Sequence, residues 1–301
     1  QYLHGLLMVI QRAAGGNTAY FWGEVTNTGW SAYFPAAYLV KESLGFHLLT
    51  LIALVFAFWS IYQTHDKSLS AILEWMRDNF VLTASIIFVA IYWWQSIRSP
   101  LNIGVRHVIP TFPFMYLLVS REIIKWTQKY SFADPKNIRE WLVTLYERYI
   151  KAAPKYVLVS LILFWIAANA LLAFPYYISY YNELIGGPKN GYKYIVDSNY
   201  DWGQDLKRLA RFARDNNIEK IRLDYFGGGD PEYYLGDKYI EWRSAKGYPG
   251  KGWYAVSSNH LMGSKGAPVR GFKIKPEDSY SWLNAAEPFA RAGYSIFIYK
   301  F

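Results

Sequence analysis

YVLVSLILFWIAANALLAFPYY, residues Tyr156–Tyr177, runs for twenty-two residues without a charged side chain. At 1.5 Å of rise per residue, such a helix matches a bilayer core of about 30 Å. Three further stretches read the same way. Phe46–Tyr62 (FHLLTLIALVFAFWSIY) has only His47 that can become charged, Phe80–Ile97 closes on Tyr92, Trp93 and Trp94, and Leu101–Ser120 follows almost at once. Four nearly uncharged stretches so close together argue against buried helices of a large water-soluble protein. The sequence therefore predicts an α-helical multi-pass membrane bundle of about four spanning helices, followed by a small extracytoplasmic α/β domain.

Composition agrees. Of 301 residues, 19% are aromatic, with 13 Trp and 27 Tyr; both side chains favour the water–lipid boundary. A formal net charge of +9 suits anionic head groups, and its spread along the chain, rather than in one arm or stripe, argues against nucleic acid. The chain has no cysteine, which excludes disulfides, thiolate metal sites and cysteine nucleophiles. No cofactor is expected, and no His/Asp/Glu spacing makes a convincing metal site. Nothing near the start reads as a cleavable signal peptide. Gln1 is not a start methionine, and the pattern opens midway, as in the later part of a longer protein.

Basic residues set the expected orientation. Residues 121–155 carry Arg121, Lys125, Lys129, Lys136, Arg139, Arg148, Lys151 and Lys155, which by the positive-inside rule makes this loop cytoplasmic. Alternation then puts residues 1–45, 98–100 and everything after about Tyr177 outside. The expected division is an interfacial segment at 1–45, a transmembrane region at 46–177 and an extracytoplasmic α/β domain at 178–301. Within 1–45, Leu3–Ala14 is amphipathic, and the aromatic-rich Tyr20–Tyr38 reads as a segment lying along the outer surface or as a loop packed over the bundle. In the last domain, Asp201–Asn216 reads as an amphipathic helix. Ile221–Phe226, Trp253–Ser258 and Ser295–Tyr299 read as strands, and Ala285–Ala292 as a short helix.

The stretch NIGVRHVIPTFP, Asn102–Pro113, interrupts this apolar background. An arginine at the centre of a spanning helix costs roughly 2.5–3.5 kcal/mol on insertion scales, so such a charge is usually functional. Arg106 and His107 lie near one end of their segment, where a lipid phosphate can reach them. A guanidinium offers planar, paired donors to phosphate; the simpler reading is an arginine that snorkels to the interface. Pro110 and Pro113 would kink the helix below.

Several phrases together resemble the dolichyl-phosphate-mannose–protein mannosyltransferase-like family of GT-C-type membrane glycosyltransferases. They are YLHGLLMVIQRAAGG (Tyr2–Gly16), GWSAYFPAAYLVKESL (Gly29–Leu44), NIGVRHVIPTFPF (Asn102–Phe114), YYNELIGGPKNGYKYIVDSNYDWGQDLKRL (Tyr180–Leu209) and the closing EPFARAGYSIFIYKF. They occur in order and cover nearly the whole chain. The resemblance implies the C-terminal half of a polytopic enzyme that transfers a sugar from a polyprenyl-phosphate donor to an acceptor at the outer face. Members carry their catalytic acid in an early extracytoplasmic loop, for which these residues offer no counterpart. The alternative implied is a non-catalytic membrane scaffold subunit derived from such an enzyme. Expected partners are the polyprenyl-phosphate-linked sugar, membrane lipids, and an N-terminal catalytic portion or other membrane subunits.

Such a transfer needs a base for the acceptor proton, donors for the departing phosphate and an apolar groove for the lipid. Arg106 and His107 are the candidates on the phosphate side, with Lys41 as a further phosphate contact or an ordinary interfacial flank. Glu42 is a candidate for an acceptor hydroxyl or for pairing with Lys41. His4 contacts the donor, binds a metal, or is simply structural. Asp201 and Asp205, four residues apart, would share a helix face and with Trp202 contact a sugar or the acceptor. Alternatively, Ser198, Asn199 or Asp201 caps that helix. Gly227–Gly229 lacks the pattern of a phosphate loop and reads as a turn.

Overall fold

The computed structural model describes residues 2–64, 66–128 and 137–301. Helix α1 (Tyr2–Gly15) precedes a hairpin of β1 (Ala19–Phe21) and β2 (Glu24–Thr26), then α2 (Tyr33–Lys41). Helices α3 (Leu44–Gln63), α4 (Leu69–Asp78) and α5 (Phe80–Arg98) follow. Two 3-10 turns, Val105–His107 and Ile109–Thr111, lead into α6 (Phe112–Thr127), α7 (Ile138–Leu145) and α8 (Ala153–Ala173). The remainder mixes α9 (Leu206–Asp215), β3 (Ile221–Asp224), α10 (Pro231–Leu235), β4 (Tyr239–Glu241), β5 (Trp253–Ser257), α11 (Ser258–Lys265), β6 (Ala267–Pro268), β7 (Ala290–Ala292) and β8 (Ile296–Lys300). These elements form two compact units. One comprises Glu42–Trp94 and Val108–Leu172; the other comprises Gln1–Lys41, Gln95–His107 and Ala173–Phe301.

In the helical unit, α3, α5 and the stretch Ile138–Ala173 are long and apolar enough to cross a membrane by length and composition. Leu51, Val55 and Phe58 on α3, Val81 and Ile91 on α5, and Phe164 and Leu171 on α8 are exposed. Lipid accommodates such faces; water does not. The inner faces meet where Phe46, Leu49 and Ala53 of α3 pack on Val119 and Ile123 of α6 and on Ile162 of α8. Gly45 permits the close approach, because a Cβ there would lie 2.6 Å from Ile166 Cγ1 and 3.3 Å from the Ile162 carbonyl. Side chains cap the two shorter helices: Ser68 accepts from Ala71 N and Asn137 from Glu140 N.

Leu101–Ser120 is not the single spanning helix expected. Residues 101–104 are irregular, Gly104 has φ +118°, and α6 begins only at Phe112. Two causes combine: Gly104 takes a conformation that L side chains rarely adopt, and prolines at 110 and 113 withhold helix N–H donors. Pro113 is tolerated in the first turn of α6. Arg106 therefore belongs to a 3-10 turn of the α/β unit.

The α/β unit is organised by a five-stranded sheet in the order β4-β3-β5-β8-β7, with β4, β3 and β5 parallel and β8 and β7 antiparallel. Alternation sorts its side chains. Ile221, Leu223, Ala255, Ile296 and Ile298 bury against Leu206, Leu209 and Ala213 of α9. Tyr254, Val256, Phe297 and Tyr299 point the other way and pack with Leu261, Tyr280 and Leu283. A small second sheet pairs β1 with β2 and β2 with β6.

Three expectations change here. Tyr20–Tyr38 does not lie along a surface: Tyr20, Phe21, Trp30, Tyr33 and Phe34 are buried, with Phe21 packed on Trp30 and Tyr33. Residues up to Lys41 thus belong to the α/β unit rather than to a separate interfacial segment. Ala285–Ala292 is no helix: residues 285–289, which include Pro288, are irregular, and Ala290–Ala292 form β7. The helix expected from Asp201 starts at Leu206. Lys129 and Lys136 of the expected cytoplasmic loop lie outside the described residues.

Replacing Gly45 with leucine should force α3 off α8 and cost about 1–3 kcal/mol, as overpacking does. A lower thermal midpoint in detergent or lipid discs, against a neutral Leu51→Ala control, checks it.

Candidate functional site

The 3-10 turn carrying Arg106 is fixed from behind. Val105 N donates to Asn199 Oδ1 at 2.8 Å, and Asn199 Nδ2 donates to the Tyr33 hydroxyl at 3.0 Å and to the Val196 carbonyl at 3.2 Å. Ser198 Oγ bonds the Ile103 carbonyl, against Gly104, where any Cβ would strike that hydroxyl. Asn102 is buried and accepts from Trp30 N at 2.7 Å. Phrases far apart in sequence (Trp30–Lys41, Asn102–His107 and Tyr180–Trp202) thus meet in one place.

Arg106 is exposed at the front of this frame. Its guanidinium lies 4.1 Å from the ring centroid of Trp202, which is itself 47% exposed. Among the described residues no carboxylate lies within ion-pair distance of it. A guanidinium resting on an indole keeps its edge donors available, and the ring face attracts its charge. His107 is half-buried and stacks on Phe34 at 5.5 Å. Burial, and then the Arg106 charge, hold its pKa below the usual histidine value, which favours the neutral ring.

The other candidates divide. Lys41 Nζ donates to the carbonyls of Ile178 (2.8 Å), Tyr180 (2.6 Å) and Asn199 (2.6 Å), and sits 4.6 Å from the Tyr181 ring centroid. Burial pushes its pKa down to about 7; three carbonyl acceptors oppose this, since only the ammonium form has three donors to give. All three N–H groups are committed, so Lys41 is a clamp rather than a phosphate ligand. Glu42 opens the helical unit, where it accepts from Ser43 N and from the Tyr116 hydroxyl, both at 2.9 Å. His4 is exposed on α1.

Asp201 and Asp205 do not share a helix face, and both are fully buried. Asp205 holds the N-cap position of α9 without a side-chain cap; Oδ2 instead accepts from Tyr294 N (3.1 Å), Ser295 N (3.0 Å) and Ser295 Oγ (2.9 Å). Its Oδ1 accepts from Arg208 at 2.5 Å. It ties α9 to the β7–β8 hairpin. Asp201 accepts from Gly203 N at 3.0 Å and Ser258 Oγ at 3.4 Å. Burial pushes its carboxyl up to about 6, against the Gly203 N–H and with help from the nearby Asp205 charge. Neither carboxylate reaches outward to a sugar. Trp202, between them, does face outward. Among the described residues no group of His, Asp and Glu could hold a metal ion. The positioning roles of Tyr33 and Asn199 are not legible in the sequence, where Asn199 reads only as a candidate cap for α9, a position that Asp205 takes instead.

No family model matches the chain, and no curated protein or solved structure does either.

Asp201 gives a pH test. Its native pKa lies above its unfolded value, so its contribution to stability is complete below pH 3.8 and lost as pH rises towards about 6. Asp201→Asn, which keeps an acceptor for Gly203, should gain on the wild type across this window and level off above it. The gain is up to about 3 kcal/mol at 1.36 kcal/mol per pKa unit. Thermal unfolding of both proteins from pH 4 to 7.5 measures the gap. In the same region, Asn199→Ala strands the Val105 N–H. It should cost about 1–3 kcal/mol and speed amide exchange at residues 104–107.

Proposed function

We propose that this chain is a multi-pass membrane glycosyltransferase component that uses a polyprenyl-phosphate-linked sugar, with Arg106 on the phosphate side. One observation carries this reading: an exposed guanidinium, unpaired with any carboxylate among the described residues, mounted on a half-exposed tryptophan by a buried frame. Such a group offers charge and bidentate donors to a phosphate oxygen, and the indole edge beside it offers an apolar surface to a sugar ring. As the glycosyl–phosphate bond breaks, negative charge grows on the phosphate, and a fixed cation there lowers the barrier. The five phrases that resemble the mannosyltransferase-like family supply the substrate class. The base that takes the acceptor proton is not assigned to any described residue.

The proposed topology is supported by connectivity. A compact unit cannot lie on both faces of a bilayer, so each excursion from the α/β unit, residues 42–94 and 108–172, starts and ends on one side. The first crosses twice, through α3 and α5. The second crosses through α8 and therefore also through α6, whose sixteen residues and preceding turn span ~30 Å. The basic residues of 121–155 support a cytoplasmic loop by the positive-inside rule, and on this reading the α/β unit is extracytoplasmic in the cell membrane.

With purified protein and a polyprenyl-phosphate-sugar donor, Arg106→Ala should lower turnover about 100-fold, in the range of a lost oxyanion donor, while thermal unfolding stays unchanged. Arg106→Lys, which keeps the charge and loses the fork, should recover only part. Unchanged turnover and donor affinity in Arg106→Ala would remove this residue from the site. A tag after Phe301 should be accessible from outside intact spheroplasts; a protected tag overturns the topology.

A further inference from the structure

We infer that the cleft at the carboxyl ends of β3, β4 and β5 is a second binding site, suited to a neutral polyhydroxylated ligand, a stretch of saccharide. In an open α/β sheet, ligands collect in the crevice beyond the carboxyl ends of the parallel strands, where the strand order reverses. Here the chain runs from β3 to β4 on one side and then to β5 on the other. The cleft at that point measures about 610 Å³, within the usual range for small-ligand sites.

Each parallel strand delivers a polar group to it. Asp224 ends β3 and is buried. Its Oδ1 pairs with His260 Nδ1 at 2.7 Å and with Arg243, just beyond β4, at 3.1 Å. Oδ2 accepts from the Tyr280 hydroxyl, which in turn accepts from Tyr254 at 2.9 Å. Burial pushes the Asp224 carboxyl up, but the His260 and Tyr280 hydrogen bonds and the Arg243 charge outweigh it and hold the pKa below the ordinary value. The ionised carboxylate assigns the imidazole proton to Nδ1. Nε2 of the half-buried ring has no partner among the described residues and can meet a hydroxyl, accepting from it in the neutral ring or donating to it in the charged one.

The charges argue against an anion site. Arg243 is spent on Asp224 and, at 3.5 Å, on Glu241. Lys273 and Lys275 share the lining with Asp278. What remains is a mixture of acceptor, donors and partly exposed rings, which is how proteins hold sugars: polar edges meet hydroxyls, and ring faces meet C–H patches. Those rings continue outward. Phe226 lies 5.6 Å from His260 and 6.0 Å from Trp202, and Trp202 carries Arg106. A saccharide seated at His260 could therefore extend along this row towards the guanidinium, as an acceptor chain must. The acceptor role rests on the transferase reading; the saccharide site does not.

The test uses the full chain in lipid discs. Neutral trisaccharides of glucose, galactose, mannose and N-acetylglucosamine are titrated in turn, with inorganic phosphate as the competing probe, reading histidine ring resonances and tryptophan fluorescence. At least one trisaccharide should bind with a millimolar Kd and move the His260 signals. His260→Ala should weaken binding at least tenfold; Asp224 keeps Arg243 and Tyr280, so folding should survive. Ala245→Trp, at an exposed lining position outside the network, should block the cleft to a similar extent. No trisaccharide bound at tens of millimolar, binding unchanged in Ala245→Trp, or phosphate alone bound would each overturn the inference. The titration needs no donor lipid, so it fails or succeeds separately from the turnover of Arg106→Ala.

Discussion

Asn199 has no exposed surface, and every part of its side chain is in use: Oδ1 on the Val105 N–H, and Nδ2 on the Tyr33 hydroxyl and the Val196 carbonyl. Its backbone carbonyl takes the Lys41 ammonium. One residue therefore joins α2, the Arg106 turn and the segment before α9. In a dry interior such a network is worth most when complete and costs most when one member is removed. The orientation of Arg106 over Trp202 depends on this hidden amide, because a 3-10 turn of three residues has few hydrogen bonds of its own.

Buried carboxylates follow the same logic. Asp205 and Asp224 sit at opposite ends of an environment scale only in what faces them: Asp205 is consumed by backbone N–H groups and Arg208, whereas Asp224 shares its charge with an imidazole that is still open to solvent. The first joins elements. The second sets the tautomer of a group that can meet a ligand. Charge alone does not separate these roles; the partners do.

The helical half was legible because apolar length is a local property: α3, α5 and α8 overlap the stretches that composition marks. The strands Ile221–Asp224, Trp253–Ser257 and Ile296–Lys300 were legible for the same reason, through β-branched and aromatic runs. Leu101–Ser120 misled because its apolar average hides Gly104 and two prolines, which break the helix from within. The aromatic run Tyr20–Tyr38 misled because tryptophan and tyrosine suit an interface and a core equally; only long-range partners decide. Arg106 could be singled out from its isolation among apolar neighbours. The Asp224–His260 pair could not, since its members lie thirty-six positions apart and neither stands out locally.

The small sheet has a consequence for biosynthesis. β2 pairs with β6 through Glu24 and Ala267, partners about 240 residues apart, a separation that slows closure. The hairpin is made long before β6 and waits while most of the intervening polypeptide is synthesised. Until residue 196 is made, Tyr20 and Val25 also lack Val196, the buried partner of their cluster. A chain ending before residue 267 therefore leaves the outer edge of β2 without its parallel partner.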